Sequence, residues 1–237
     1  QELLKNADSA MYRAKEEGKA NFQFYTADMN DQTQERLTVK NGLSKALEND
    51  EFLLLYQPKL DLKANRVTGA HALIRWQSPD MGLASPVTFI PVLEETGMVV
   101  EVGEWAIHTA CKQHSDWLKQ GLPPIKVAVN LSARQLREPS FVNIVKKALS
   151  NAGLPPSAIE IEITESMLMS DAPIIVAALE DLHDFGIHIS MDDFGTGYSS
   201  LSYLKRFPID TIKIDRSFVN DIHVDADDAE IIHTIIN

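Results

Sequence analysis

Residues 159–165 read IEIEITE: Ile159, Ile161 and Ile163 alternate with Glu160 and Glu162, and the run closes on Glu165. Alternation of β-branched and other residues over this length marks a buried-type strand. Three more runs have the same build: KVAVN at 126–130, HISMDD at 188–193 and TIKID at 211–215. Each closes on polar side chains, namely Asn130, then Glu162 with Glu165, then Asp192 with Asp193, then Lys213 with Asp215. The intervals are 32 residues from Asn130 to Glu162, 30 from Glu162 to Asp192 and 21 from Asp192 to Lys213. A barrel of about 250 residues shared among eight βα units has roughly 31 per unit. Polar groups therefore recur about once per unit at the carboxyl ends of strands, and in a barrel those ends share one rim.

Working outward, strand-like runs also cover 52–62 and 67–76. Helical periodicity covers 99–119, 141–151, 174–185 and 200–206. Strands alternating with helices predict an α/β chain with a largely parallel sheet covered by helices. The connection 79–91, rich in Pro and Gly, is expected to be a loop bearing on the site. Ahead of this pattern, residues 1–18 place Leu3, Leu4, Ala7, Ala10, Met11 and Ala14 at helical spacing and stop at Gly18. Residues 21–26 (NFQFYT) alternate like one strand. One helix and one strand cannot bury enough surface to fold alone, so 1–26 is expected to be the tail of a preceding domain. Residues 27–50 are expected to form a linker helix and 51–237 the main domain.

The chain has 237 residues, 44% of them hydrophobic and 24% charged, as in a globular protein. Its formal net charge of −12 opposes nucleic acid and anionic membrane surfaces. No apolar stretch approaches the roughly 20 residues of a bilayer span. Cys111 is the sole cysteine and no signal segment opens the chain, which predicts a cytoplasmic protein without a disulfide. The chain starts at Gln1 and stops at Asn237 inside an apolar-periodic stretch, the pattern expected of a piece of something longer.

Five carboxylates gathered at one rim repel one another unless a cation compensates them. Oxygen donors from Asp, Glu and Asn favour Mg²⁺, Mn²⁺ or Ca²⁺. The adjacent Asp192 and Asp193 suit two ions, the arrangement used for in-line attack on a phosphodiester, and Lys213 adds a cation for a water or a phosphate oxygen. Each acid taken singly reads equally well as a helix cap or a solvated strand end. Other motifs fail: the DFG at 193–195 lacks a kinase's Gly-rich loop and HRD segment, GTGYSS lacks a dinucleotide loop's third glycine, and the histidines have no HExxH spacing.

From Phe52 onward the chain resembles the EAL domain, the bacterial phosphodiesterase that opens cyclic di-GMP to linear pGpG. The motifs that carry the resemblance are LLLYQP at 53–58, GAHALIRW at 69–76, VNLS at 129–132, EITE at 162–165, MDDFGTGYSS at 191–200 and IKIDRSFV at 212–219. The leading ADSAMYRAKEEGKANFQFY is similar to the end of a GGDEF (diguanylate cyclase) domain. The resemblance implies a modified TIM-type (β/α)₈ barrel with an antiparallel first strand. Asn130, Glu162 and Asp192 would hold one Mg²⁺ or Mn²⁺ ion and Asp193 a second. Lys213 would orient and help deprotonate the attacking water, Asp215 would support the metal–water network, and Glu165 would hold the loop after Asp193. Gln57 would approach a guanine and Arg75 a phosphate. A homodimer through the loop after Asp193 and upstream GGDEF and sensory domains are also implied.

Two departures stand out. His71 occupies the first position of the naming motif, where the family has a metal-binding glutamate. Its imidazole supplies nitrogen, removes one negative charge and competes with protons near a pKa of about 6.5, so Mg²⁺ affinity is expected to fall. The stop at Asn237 omits the family's next strand, its glutamate ligand and the final strand, which predicts an open barrel truncated at its C-terminal end. A degenerate domain that binds cyclic di-GMP without cleaving it is the alternative to the enzyme.

Overall fold

The computed structural model describes residues 2–16, 21–168, 172–195, 206–220, 222–223 and 226–236. Two compact units form, one of Gln1–Leu53 with Arg75–Thr96 and one of Leu54–Ile74 with Gly97–Asn237.

In the first unit, α1 (Glu2–Glu16) meets α2 (Ala27–Ala46) through Ser9, which donates its hydroxyl to Asn30 Oδ1 at 2.8 Å. Helix α2 buries Val39, Leu43 and Ala46 and packs on α3 (Pro86–Thr96), which buries Phe89, Val92 and Leu93. Trp76 is fully buried, lies edge-on to Phe89 and donates its indole N–H to Glu51 at 2.9 Å. Gly42 makes room for that indole, because a Cβ there would sit 2.8 Å from the ring. Two expectations are corrected here. Residues 21–26 form no strand, and Phe22 and Phe24 stay exposed, edge-on to each other. The stretch 79–91 is not a loop: β3 (Gly82–Ala84) pairs antiparallel with the end of β2 (Arg66–Ser78), and α3 follows. Its prolines open α3 at Pro86 and sit inside it at Pro91. The expected helix over 200–206 lies outside the described residues but for Arg206.

The second unit holds most of a seven-stranded sheet in the order β1-β2-β4-β5-β6-β7, with β3 attached to β2. Strand β1 (Phe52–Asp61) joins β2 through residues 62–65, a link short enough only for antiparallel neighbours. Asp61 closes that turn by accepting the amides of Lys63 and Ala64. Strands β4 (Lys126–Asn130), β5 (Ile159–Thr164), β6 (His188–Phe194) and β7 (Thr211–Ile214) then add in parallel. Among the described residues the sheet stays open between β1 and β7.

Register separates the two faces. Val127 pairs with Ile159, and Val129 with Ile161 and then Ile189, giving a fully apolar face. That face is covered by α4 (Val99–Lys119), α6 (Phe141–Ala152) and α8 (Ala172–Asp184), which contribute Ile107, Val145, Leu149, Leu179 and Leu182 to one buried cluster. The other face carries His71 beside Ala128 and Glu160, and Asn130 beside Glu162 and Ser190. The alternating acids Glu160 and Glu162 of IEIEITE are thus on the side away from the helices.

Candidate active site

Glu162 is the centre of the polar face and is fully buried. Its Oε2 accepts from Lys213 Nζ at 2.6 Å, and the same ammonium reaches Asp192 Oδ2 at 2.7 Å. Its Oε1 accepts from Lys59 Nζ at 2.7 Å, and Lys59 also holds Glu160 Oε1 at 2.8 Å. His71 Nε2 lies 3.2 Å from Glu162 Oε2 and 2.7 Å from the Asn130 amide nitrogen. Six strands therefore contribute to one cluster, and Asn130, Glu162, Asp192, Lys213 and His71 are brought together with Lys59 and Glu160.

Local structure explains each placement. Asn130 ends β4 because a capping box follows at once: Ser132 accepts the Gln135 amide, and Gln135 Oε1 accepts the Ser132 amide at 3.0 Å, starting α5 (Ala133–Leu136). On a regular strand Asp192 and Asp193 would face opposite sides. Met191 pairs with Ile212 and Phe194 with Ile214, so β6 spends one more residue than β7 and bulges. Asp193 takes the left-handed conformation at φ 55° within that bulge and donates its amide to Asp192 Oδ1 at 3.1 Å. Two acids thereby stand opposite the single Lys213. Glu165 opens the short helix α7 (Glu165–Leu168), is buried, and accepts the Gly195 amide through Oε2 at 2.9 Å. The rest of the loop that Glu165 was expected to hold, 196–200, lies outside the described residues. Asp215 accepts both the hydroxyl and the amide of Ser217. Gln57 lies exposed on β1. Arg75 lies on β2, four residues beyond His71, in the stretch that belongs to the first unit.

The charge states follow from these contacts. Burial works against the Lys213 ammonium, but hydrogen bonds to Asp192 and Glu162 and their charges win, raising its pKa above 10.5. Lys213 is therefore an ammonium that orients by donating. Burial, more than any charge, lowers the His71 pKa, with Glu162 pulling the other way. Its imidazole is neutral and has a lone pair to offer. Asp193 is pushed up by burial, then by the charges of Asp192 and Asp215 and a hydrogen bond with Asp215. The Ser217 hydroxyl and amide hold Asp215 below the ordinary range.

Among the described residues, no three His, Cys, Asp or Glu side chains form a ready metal-binding group. The donors around Glu162 instead include an amide, that of Asn130. His71 Nε2 lies 2.7 Å from that amide nitrogen and 3.2 Å from Glu162 Oε2. A lone pair and a carboxylate oxygen at such a spacing match the edge of an octahedron with bonds of about 2.1 Å. The donor chemistry therefore fits a divalent cation.

Lys59 and Glu160 were not singled out as site residues from sequence. Period-two reading places Lys59 on the face of Gln57, and Glu160 on the face of Glu162, so the signal lies in the alternation rather than in strand ends.

An open, mainly parallel sheet, helices on one face, and an acid–lysine cluster on the other define an α/β protein of barrel type with its site at the strands' carboxyl ends. Within that class, the chain belongs to the EAL domain family, whose model matches residues 40–237. It is 44% identical over 235 residues to the bifunctional diguanylate cyclase/cyclic di-GMP phosphodiesterase MucR of Pseudomonas aeruginosa, covering 99% of this chain and 34% of that protein. It is 40% identical over 234 residues to the cyclic di-GMP phosphodiesterase PdeR of Escherichia coli, covering 99% of this chain and 35% of that protein. The chain thus spans about a third of the length of these relatives. The solved PaMucR phosphodiesterase in complex with c-di-GMP superposes with a TM-score of 0.79 at 44% identity, over 84% of this chain and 81% of that one. Among the described residues, no helix is long and apolar enough to cross a membrane.

Proposed function

We propose that this chain is the part of a longer bacterial signalling protein that hydrolyses cyclic di-GMP to linear pGpG with two Mg²⁺ or Mn²⁺ ions. The observation that carries the reading is the Lys213 ammonium set between Glu162 at 2.6 Å and Asp192 at 2.7 Å, beside Asn130. Asn130, Glu162 and Asp192 would hold one ion and Asp193 the second, with His71 adding a nitrogen donor. Such ions supply charge neutralisation at a phosphodiester and a more acidic water. Lys213 orients that water by donating a hydrogen bond. It takes up a proton only if its carboxylate partners give their charge to a cation, because they now hold it charged. Asp215, fixed by Ser217, supports the water network from the end of β7. Glu165 fixes Gly195 and through it the start of the loop after Asp193. Gln57 would meet a guanine and Arg75 a phosphate. The surrounding protein would add GGDEF and sensory domains on the cytoplasmic side, and a homodimer would form through the loop after Asp193.

The test is separation of pGpG from cyclic di-GMP by chromatography, using the full-length parent with Mn²⁺ or Mg²⁺. Turnover is expected, and its loss in Glu162→Gln and Lys213→Ala. Full turnover in Glu162→Gln overturns the assignment.

A second reading rests on His71, whose imidazole replaces a carboxylate next to Glu162. Here the domain captures cyclic di-GMP and relays its presence without cleaving it. Calorimetry showing binding with no pGpG formed in the full-length parent, and turnover gained in its His71→Glu variant, selects this reading.

A further inference from the structure

Lys59 stands on β1 and its partner Glu160 on β5, with β2 and β4 between them. On a flat sheet those strands are about 14 Å apart and their side chains project in parallel. Contact at 2.8 Å requires both a curled sheet and a clear path across it. The path is built from small residues. Gly69 on β2 has no side chain, and a Cβ there would lie 3.4 Å from Lys59 Cδ and 3.0 Å from the Lys126 carbonyl. Ala128 is the β4 residue that pairs with Glu160. Lys59 ends between two carboxylates, and the one it shares with the site is Glu162, through Oε1 alone.

A carboxylate free to rotate can offer either oxygen or both to a cation. Glu162 is not free: Lys59 takes Oε1, which leaves Oε2 toward His71 and Lys213. Glu160 is buried and bonds the same ammonium, so it anchors Lys59 against being drawn wholly to Glu162. We infer that Lys59, anchored by Glu160, is a positioning residue that selects Oε2 of Glu162 as the single oxygen presented to the bound divalent ion. The inference rests on the metal role proposed above for Glu162.

Residues that orient a ligand from behind are worth about ten- to a hundredfold in metal affinity. Calorimetric titration of the full-length parent with Mn²⁺ should therefore show affinity falling by about tenfold or more in Lys59→Met, with partial recovery in Lys59→Arg. Because Lys59→Met strands the buried Glu160, the double variant Lys59→Met/Glu160→Leu is measured as well. Replacing both members of a buried ion pair by apolar residues is often neutral for stability. That variant should melt within a few degrees of the unaltered protein and still show the loss of affinity. A folded double variant with unaltered Mn²⁺ affinity overturns the inference alone. An unaltered protein that binds no Mn²⁺ overturns the metal reading and the inference with it.

Discussion

Glu165 Oε2 accepts the amide of Gly195 at 2.9 Å, joining the end of β5 to the segment that follows the Asp192–Asp193 bulge. The acceptor is buried and the donor belongs to the backbone, so the bond fixes where the chain leaves β6. Misplacement of about 1 Å near reacting groups costs roughly a hundredfold in rate. Glu165→Ala should lower cyclic di-GMP turnover by about that factor while leaving Mn²⁺ affinity intact, whereas Glu165→Gln keeps an amide oxygen and most of the activity. Steady-state kinetics beside calorimetry check this, and undiminished turnover in Glu165→Ala would contradict it.

Lys213→Met removes the ammonium shared by Glu162 and Asp192. Glu162 is fully buried, and breaking a buried pair costs about 3 kcal/mol, reduced here to about 2 kcal/mol because Lys213 is partly open to solvent. Urea unfolding in chelator should show that loss, and added Mn²⁺ should shrink it by supplying the missing positive charge. Equal stability of the two proteins in chelator would rule out the charge-balancing role.

His71→Glu restores an oxygen donor and a negative charge beside Glu162. Mg²⁺ affinity should rise by roughly tenfold, since hard cations respond to ligand charge and oxygen count. In chelator the same variant should be less stable, because the new carboxylate faces one 3.2 Å away from the present imidazole nitrogen. Comparative titration with Mg²⁺ and a melting curve in chelator measure the two effects.

Asp193 has its pKa raised above 3.8 by burial, then by Asp192 and Asp215. A carboxyl with a raised folded-state pKa contributes stability below its unfolded value and loses it as pH rises through the folded value. In chelator, Asp193→Asn should therefore be the more stable protein at neutral pH, an advantage that disappears below pH 3.8. Asparagine also tolerates the left-handed φ of 55° at this position. Thermal melts across that pH range test the sign, and a constant difference at every pH would count against it.

The strands were legible because their side chains alternate. TIKID, KVAVN and IEIEITE carry β-branched residues at every second position, and each became a strand within a residue or two of its expected bounds. NFQFYT alternates just as cleanly and is no strand, because alternation says which face a residue would take and not whether a ladder forms. The same limit hid Lys59 and Glu160. Their contact depends on sheet curvature and on the side-chain-free gap at Gly69, which are properties of four strands together. The closeness of Glu162 to Asp192 followed from strand order, but two adjacent acids facing one lysine needed the bulge, which no local signal announces.

Glu162 takes one lysine from β1 and one from β7, the first and last strands of the sheet's path. Fraying of either margin would strip an ammonium from the same carboxylate and leave the remaining lysine facing an unbalanced charge. Loss of β1 and loss of β7 are thus coupled events although the two strands never touch in the ladder. Electrostatics joins the margins that backbone pairing leaves apart, and native-state hydrogen exchange would find them opening together.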